Sequence, residues 1–270
     1  MNRERFKKLV WDYWNKSGRH DLPWRNTRDP YRILVSEVML QQTQVSRVLA
    51  KYDEFLRAFP DVEALADSQT ADVLRVWQGL GYNRRALLLK RAAESIVRDH
   101  KGVFPRTEVA LESLPGIGQS TRGALLAFAF GIPTAFIETN IRAVYLHSFF
   151  KDKKDVSDKK LLPLIEDTLD QKDPRSWYYA LMDYGVHLKQ TLPNPSRQSR
   201  HHAKQSAFKG SNRELRAAIV RYVLGGARTK GDIKRHIASS IGKTPHDIEK
   251  NINALVREGF MRETYGKYGA

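Results

Sequence analysis

Two glutamates sit where carboxylates are costly. Glu37 lies in the run Ile33-Leu34-Val35-Ser36-Glu37-Val38-Met39-Leu40, with only Ser36 as polar company. Desolvation in such a helix raises the carboxyl pKa, so the group can hold a proton near neutral pH, as a general acid must. Glu138 follows Ala135-Phe136-Ile137 and precedes Thr139-Asn140-Ile141-Arg142, a helix entry with the acid just outside it. The positive end of that helix favours the ionised form. Such a pair can divide the breaking of a glycosidic bond: one carboxyl protonates the leaving group and the other stabilises an oxocarbenium-like sugar. Purely structural roles fit the same residues. Glu37 can pair with a buried arginine, for which Arg25 in Leu22-Pro23-Trp24-Arg25 is suited, and Glu138 can be a helix cap.

A second motif concerns anions. Leu114-Pro115-Gly116-Ile117-Gly118 separates helical patterns over 107–113 and 120–131. Its glycines permit positive φ and leave backbone N–H groups uncovered, and these, with the start of the next helix, can hold a phosphate. A lone Gly-x-Gly is equally an ordinary helix–helix turn. The charge favours a polyanion: the formal net charge is +16, and residues from Lys189 onward carry +11 of it against +5 for the first 188. That concentration points to nucleic acid.

The elements that must position these groups are almost all helical. Phe6, Leu9, Val10 and Tyr13 recur at helical spacing up to Gly18, and Asp29-Pro30-Tyr31 opens the helix that carries Glu37. Further helices are predicted over 46–59, 62–66, 71–78, 83–100, 140–150, 158–169 and 174–187. Residues 191–211, with Arg197, Arg200, Lys204 and Lys209 just after Lys189, are expected to form a basic linker or strap that orders on binding. His187, His201 and His202 lack the spacing of a metal site, so no metal is expected. From 212 the pattern gives three helices and then a strand over 260–265 turning at Gly266, which resembles a winged helix in pattern. No apolar run is long enough to span a membrane and no apolar signal-peptide core follows Met1, so the expectation is an intracellular, cytoplasmic protein, nucleoid-associated if prokaryotic, and a monomer.

Taken together, Leu22-Pro23-Trp24-Arg25, Asp29-Pro30-Tyr31, the string Ser36-Glu37-Val38-Met39-Leu40-Gln41-Gln42-Thr43-Gln44-Val45, Gly79-Leu80-Gly81-Tyr82 and Leu114-Pro115-Gly116-Ile117-Gly118 resemble, in order and spacing, the MutY-type adenine DNA glycosylases of the helix-hairpin-helix superfamily. The resemblance covers about residues 5–190. It implies an all-α, two-lobed fold over residues 1–190, with DNA across the cleft, and a base flipped out of the duplex. It makes Glu37 the acid that protonates the base and Glu138 the stabiliser of the sugar cation. Arg25 and Asn140 match residues that hold the base or the carboxylates. Gln41 and Gln42 match residues that enter the duplex, and Tyr82 matches a wedge at the flipped site. Leu114, Gly116, Ile117 and Gly118 match the phosphate-gripping hairpin. Ser120 stands where lyase-active relatives carry a lysine, and a serine cannot form a Schiff base, so a monofunctional enzyme is expected.

Three departures qualify the implied substrate. Glu138 replaces the family's aspartate and is one methylene longer. The four cysteines expected after Tyr178-Tyr179-Ala180-Leu181-Met182-Asp183-Tyr184-Gly185 are absent, and the chain contains no cysteine at all, so no iron–sulfur cluster or disulfide can form. The family's C-terminal checking domain is replaced by the short unit at 212–270. Adenine opposite 8-oxoguanine or guanine, in double-stranded DNA, is the first expected substrate. Thymine or uracil opposite guanine, or a damaged base such as hypoxanthine, comes second. A non-catalytic DNA-binding protein is the reading from a different class.

Overall fold

The computed structural model describes residues 1–203, 205 and 207–270; Lys204, assigned above to the strap, lies outside the described residues. The helices, in chain order, are α1 (Arg3–Ser17), α2 (Pro30–Leu40), α3 (Val45–Ala58), α4 (Val62–Asp67), α5 (Thr70–Val76), α6 (Arg84–His100), α7 (Glu108–Glu112), α8 (Gln119–Phe130), α9 (Thr139–Phe149), α10 (Asp158–Thr168), α11 (Pro174–Thr191), α12 (Asn212–Leu224), α13 (Lys230–Ile241) and α14 (Pro245–Glu258). Three short strands, β1 (Arg228–Thr229), β2 (Arg262–Thr264) and β3 (Lys267–Gly269), form an antiparallel sheet in the order β1-β3-β2. The expected helical pattern therefore holds, with β1 the strand its sequence did not announce. The chain divides into two compact units, Met1–Glu37 with Phe104–Lys204, and Val38–Val103 with Gln205–Ala270.

The first unit is built on α11. This helix packs against α9, α1 and α8 and buries Trp177, Tyr178, Tyr179, Leu181 and Leu188. Phe6 on α1 fits among Tyr145, Phe149 and Trp177, with ring centroids 5.0, 5.0 and 6.1 Å away. Each such fully buried aromatic contributes on the order of 1.5–3 kcal/mol. Glycine allows α9 and α11 to approach closely: a Cβ built on Gly185 would lie 2.4 Å from the carbonyl oxygen of Asn140 and 2.8 Å from its Cβ. Residues 195–198 form a 3-10 turn whose Pro195 and Ser196 are buried. Val156 and Ser199 form a parallel bridge there, and Gln198 Nε2 donates to the Phe150 carbonyl at 3.1 Å. The described part of the strap is thus folded onto the end of α9, where the sequence suggested a loop that orders only on binding.

In the second unit α4 and α5 pack on α6 around Phe55, Leu65, Leu74 and Trp77, all fully buried. The C-terminal module packs Leu215, Ile219, Ile233, Ile237, Ile248, Ile252 and Leu255 inward. It is joined to the rest of this unit by α12 against α5 and by Arg91 Nη2, which donates to the Glu258 carbonyl at 2.7 Å.

Gly185→Ala tests the close approach of α9 and α11. In an unhindered helix interior alanine stabilises by up to about 1 kcal/mol relative to glycine. Here the added methyl meets backbone, so overpacking should instead cost about 1–3 kcal/mol. A lower Tm is expected in thermal unfolding, and a rise would show that the helices part without strain.

Candidate active site

Glu37 owes its place to a helix that is apolar almost all round. Asp29 caps α2, its Oδ1 accepting from the Tyr31 amide at 2.8 Å, and Pro30 is preset for a first turn. Tyr31, Ile33, Leu34, Val35, Ser36, Val38 and Met39 are buried. Glu37 itself keeps a small opening to solvent, yet protein surrounds it closely enough that its carboxyl is pushed up to about 8. Burial is the main cause, repulsion from Glu138 adds to it, and the positive charge of Arg25 opposes it. Among the described residues no hydrogen-bond donor engages this carboxylate.

Glu138 is held differently. It is the N-cap of α9 and accepts from the Asn140 amide at 2.6 Å and from Asn140 Nδ2 at 3.2 Å. Lys189 Nζ donates to Asn140 Oδ1 at 2.9 Å. Burial raises the Glu138 carboxyl above its ordinary value, while the Asn140 and Ile141 amides, Lys189 and Arg142 pull it down. The helix end therefore does oppose protonation, as the sequence suggested, but burial outweighs it. Of the two carboxylates, Glu138 has the donors and cations, so the pair loses its first proton more readily from Glu138 than from Glu37.

Arg25 is not the ion-pair partner of Glu37. It is the last residue of a 3-10 turn, Pro23–Arg25, and forms a two-pronged bridge to Asp183 on α11, with both N···O distances 2.8 Å. Its guanidinium also lies 4.4 Å from the Tyr179 ring centre. Arg19 closes the cluster, its amide and Nε each donating to Asp183 at 2.8 Å. Asp183 is 2 % exposed; burial raises its pKa, but Arg25 and Arg19 hold it below the usual carboxylate range. Arg25 thus acts on Glu37 through its field alone, and Asp183, which no local pattern singled out, fixes it.

The structure brings Glu37, Glu138, Arg25, Asn140 and Lys189 into one electrostatic group in the first unit. Lys189, expected to face DNA at the head of the strap, instead sits in α11 with its ammonium on Asn140. Ser120 opens α8 two residues after the hairpin turn. In that turn Gly116 adopts φ +80° and needs glycine, whereas Gly118 has an ordinary φ of −97° and open space where a Cβ would be. Leu114 and Ile117 are buried at 2 % and 6 % exposure, and the Ile117 amide is spent on the Leu114 carbonyl at 3.1 Å. Their side chains anchor the turn to the core and do not face outward. Gly116 and Gly118 are exposed. Arg197 is exposed, and Arg200 forms an exposed bridge to Asp155 at 2.6 Å.

Gln41, Gln42 and Tyr82 belong to the second unit. Gln42 and Tyr82 hold left-handed backbones, φ +55° and +49°, a strained state for side chains of this size. One buried residue braces both loops. Arg85 Nη1 donates to the Val38 and Met39 carbonyls at 2.7 and 2.8 Å, satisfying carbonyls of the last turn of α2. Its Nη2 reaches Thr43 Oγ1 at 2.9 Å and the Leu80 and Gly81 carbonyls at 3.1 and 3.0 Å. Burial lowers its pKa to about 10. The Tyr82 hydroxyl accepts from Gln205 and, at 2.5 Å, from Arg213 of α12.

A helix-hairpin-helix followed by a helix capped by a buried carboxylate defines the class. Residues 35–169 match the model of the HhH-GPD superfamily base excision DNA repair proteins, and the chain belongs to that superfamily. Within it, the chain is 34 % identical over 193 residues to an adenine DNA glycosylase of Buchnera aphidicola, covering 70 % of this chain and 55 % of the relative. It is 45 % identical over 132 residues to an adenine DNA glycosylase of Mycobacterium tuberculosis, covering 48 % and 43 %. The chain thus spans about half the length of these curated relatives. A solved thermostable thymine-DNA glycosylase superposes with a TM-score of 0.61 at 29 % identity, covering 68 % of this chain and 86 % of that one. The resemblance to the MutY type and the helical fold it implied both hold.

Arg85→Met should leave five acceptors without their donor and lower unfolding stability by about 3 kcal/mol or more. Arg85→Lys should recover only part of the loss, because an ammonium lacks the planar fork. Urea unfolding measures both, and a change below about 0.5 kcal/mol, the level of an inert surface site, would remove Arg85 from this role.

Proposed function

We propose that the chain is a monofunctional DNA glycosylase that hydrolyses the N-glycosidic bond of adenine mispaired with 8-oxoguanine or guanine in duplex DNA. The observation that carries this is the unequal pair: Glu37, buried with no hydrogen-bond donor among the described residues, and Glu138, which accepts from the Asn140 amide and side chain. Glu37 gives its proton to N7 of the flipped purine. The C1′–N9 bond breaks with its electron pair going to the base, and the Glu138 carboxylate stabilises the sugar cation until water adds at C1′. Asn140 and Lys189 keep Glu138 charged, and Arg25 with Asp183 sets the field at Glu37. The adenine glycosylase relatives support the choice of base.

Other assignments follow from the same reading. The exposed turn at Gly116 and Gly118 grips a backbone phosphate, with Arg197 and Arg200 adding positive charge. Gln41, Gln42 and Tyr82 enter the duplex, their strained backbones braced by Arg85. Ser120 supplies no amine, so the product is an abasic site left uncleaved. The domain scheme is a glycosylase domain at 1–190, a strap at 191–211 and a winged-helix-like unit at 212–270. A second reading, thymine opposite guanine, has in its support the likeness to the thymine-DNA glycosylase.

Single-turnover base release on A·8-oxoguanine, A·G and T·G duplexes tests this, with and without alkali. Release of adenine should fall as pH rises through about 8, where Glu37 loses its proton. Glu37→Gln should cut release by roughly 10²–10⁴-fold. It should also raise Tm at pH 8 and above, because the folded-state pKa of Glu37 lies above its unfolded value and its contribution to stability is lost as pH climbs through about 8. Strand cleavage should require alkali. Release confined to T·G would establish the second reading, and DNA binding without release from any duplex would leave the non-catalytic one.

A further inference from the structure

The C-terminal module carries a charged surface that the proposed chemistry does not use. Lys250, Asn253 and Arg257 fall at i, i+3 and i+7 of α14 and therefore share one face; all three are exposed. With Glu263 and Tyr268 of the β-ribbon they line an open groove of about 340 Å³. The groove's acid is engaged, since the Tyr268 hydroxyl donates to Glu263 at 2.8 Å. Elsewhere in the module cations are spent on local partners: Lys230 and Lys234 on Glu249, and Arg216 on Glu258. The side chains of Lys250, Arg257, Arg262 and Lys267 make no ion pair or hydrogen bond among the described residues.

The ribbon turns at Tyr265 and Gly266, with φ +50° and +72°. This is the two-residue turn that normally takes asparagine, aspartate or glycine. A tyrosine there adds backbone strain and presents a fully exposed ring. In the ribbon Glu263 pairs with Tyr268, and Arg262 and Lys267 lie opposite Gly269 and Thr264. The pleat therefore places Arg262 and Lys267 on the other face, and the tip carries cations on the side away from the groove. A solvated charged face accounts for lysines and arginines. It gives no reason for an aromatic ring held in a strained turn among them.

We propose that the α14 face and the tip of the β2–β3 ribbon form a second duplex-DNA contact. Lys250 and Arg257 meet phosphates on the groove side, and Arg262 and Lys267, on the ribbon's other face, add positive charge at the tip. Asn253 is the α14 side chain able to pair with a base edge in a groove. Tyr265 lays its ring on the sugar–base surface. The contact is separate from Glu37 and Glu138, so it stands or falls apart from the glycosylase reading.

The test uses the full chain and an undamaged duplex of about 30 base pairs over a salt series. In Lys250→Ala/Arg257→Ala, Kd should weaken about tenfold near physiological salt. The slope of log K against log salt should flatten by about 2, one phosphate per cation removed. Tyr265→Ala should weaken binding with the slope unchanged, because stacking releases no counterions. Far-UV circular dichroism and Tm should match the parent in both variants. Single-turnover base release at saturating enzyme should also be unchanged. Parental Kd and slope in both variants would overturn the proposal, and any acidic-protein partner would then be the remaining use of the surface. An equal loss on single-stranded DNA would overturn the duplex assignment.

Discussion

The whole arrangement depends on how unequally two buried carboxylates are compensated. Burying either costs free energy in its charged form. Glu138 recovers part of that cost from the α9 amides and from Lys189 and Arg142. Glu37 has only the field of Arg25, against the repulsion of Glu138. The two therefore differ in how strongly their charged forms are opposed, although both are glutamates. The difference comes from position: one caps a helix and the other interrupts an apolar one. It also has a cost in stability, because the folded chain holds a proton that the unfolded chain releases. Holding that proton therefore destabilises the fold.

Two buried arginines keep the surroundings in place. Arg25 is fixed by Asp183 and stacked on Tyr179, so its charge stays near Glu37 without neutralising it. A free arginine would pair with Glu37 and remove the acid. Arg85 does for two loops what Arg25 does for the carboxylates: it donates to backbone carbonyls of the end of α2 and of the loop before Tyr82, tying the two loops together. Buried charges of this kind are worth little as net stabilisers, and losing one partner is severe. They set geometry at a cost the packed aromatics of α1, α9 and α11 can bear.

What could be read from the sequence was local. Glu37 stood out because its neighbours are apolar, Glu138 because a helix begins after it, and the hairpin because of its glycines. The helices followed from periodicity and caps. What could not be read was set by contacts distant in sequence: Asp183 meets Arg25 across 158 residues, and Arg85 meets the end of α2 across 47. Gly185 looked like any helical glycine until Asn140 was placed against it. Leu114 and Ile117 were grouped with their hairpin, and only packing separates the residues that anchor a turn from those that face out of it. The strap's composition resembled a linker, but Pro195, Ser196 and Ser199 are buried by partners around residues 150 and 156 that composition does not reveal.

The central claim is that Glu37 holds a proton near neutral pH because burial, reinforced by the repulsion of Glu138, disfavours its charged form. Carboxyl-carbon NMR of the full chain labelled at glutamate, assigned with Glu37→Gln, measures this directly. Glu37 should titrate near 8, and Glu138→Gln should move that titration downward by removing the repulsion. A Glu37 that titrates in the ordinary carboxylate range, or one whose titration is unmoved by Glu138→Gln, would contradict the account.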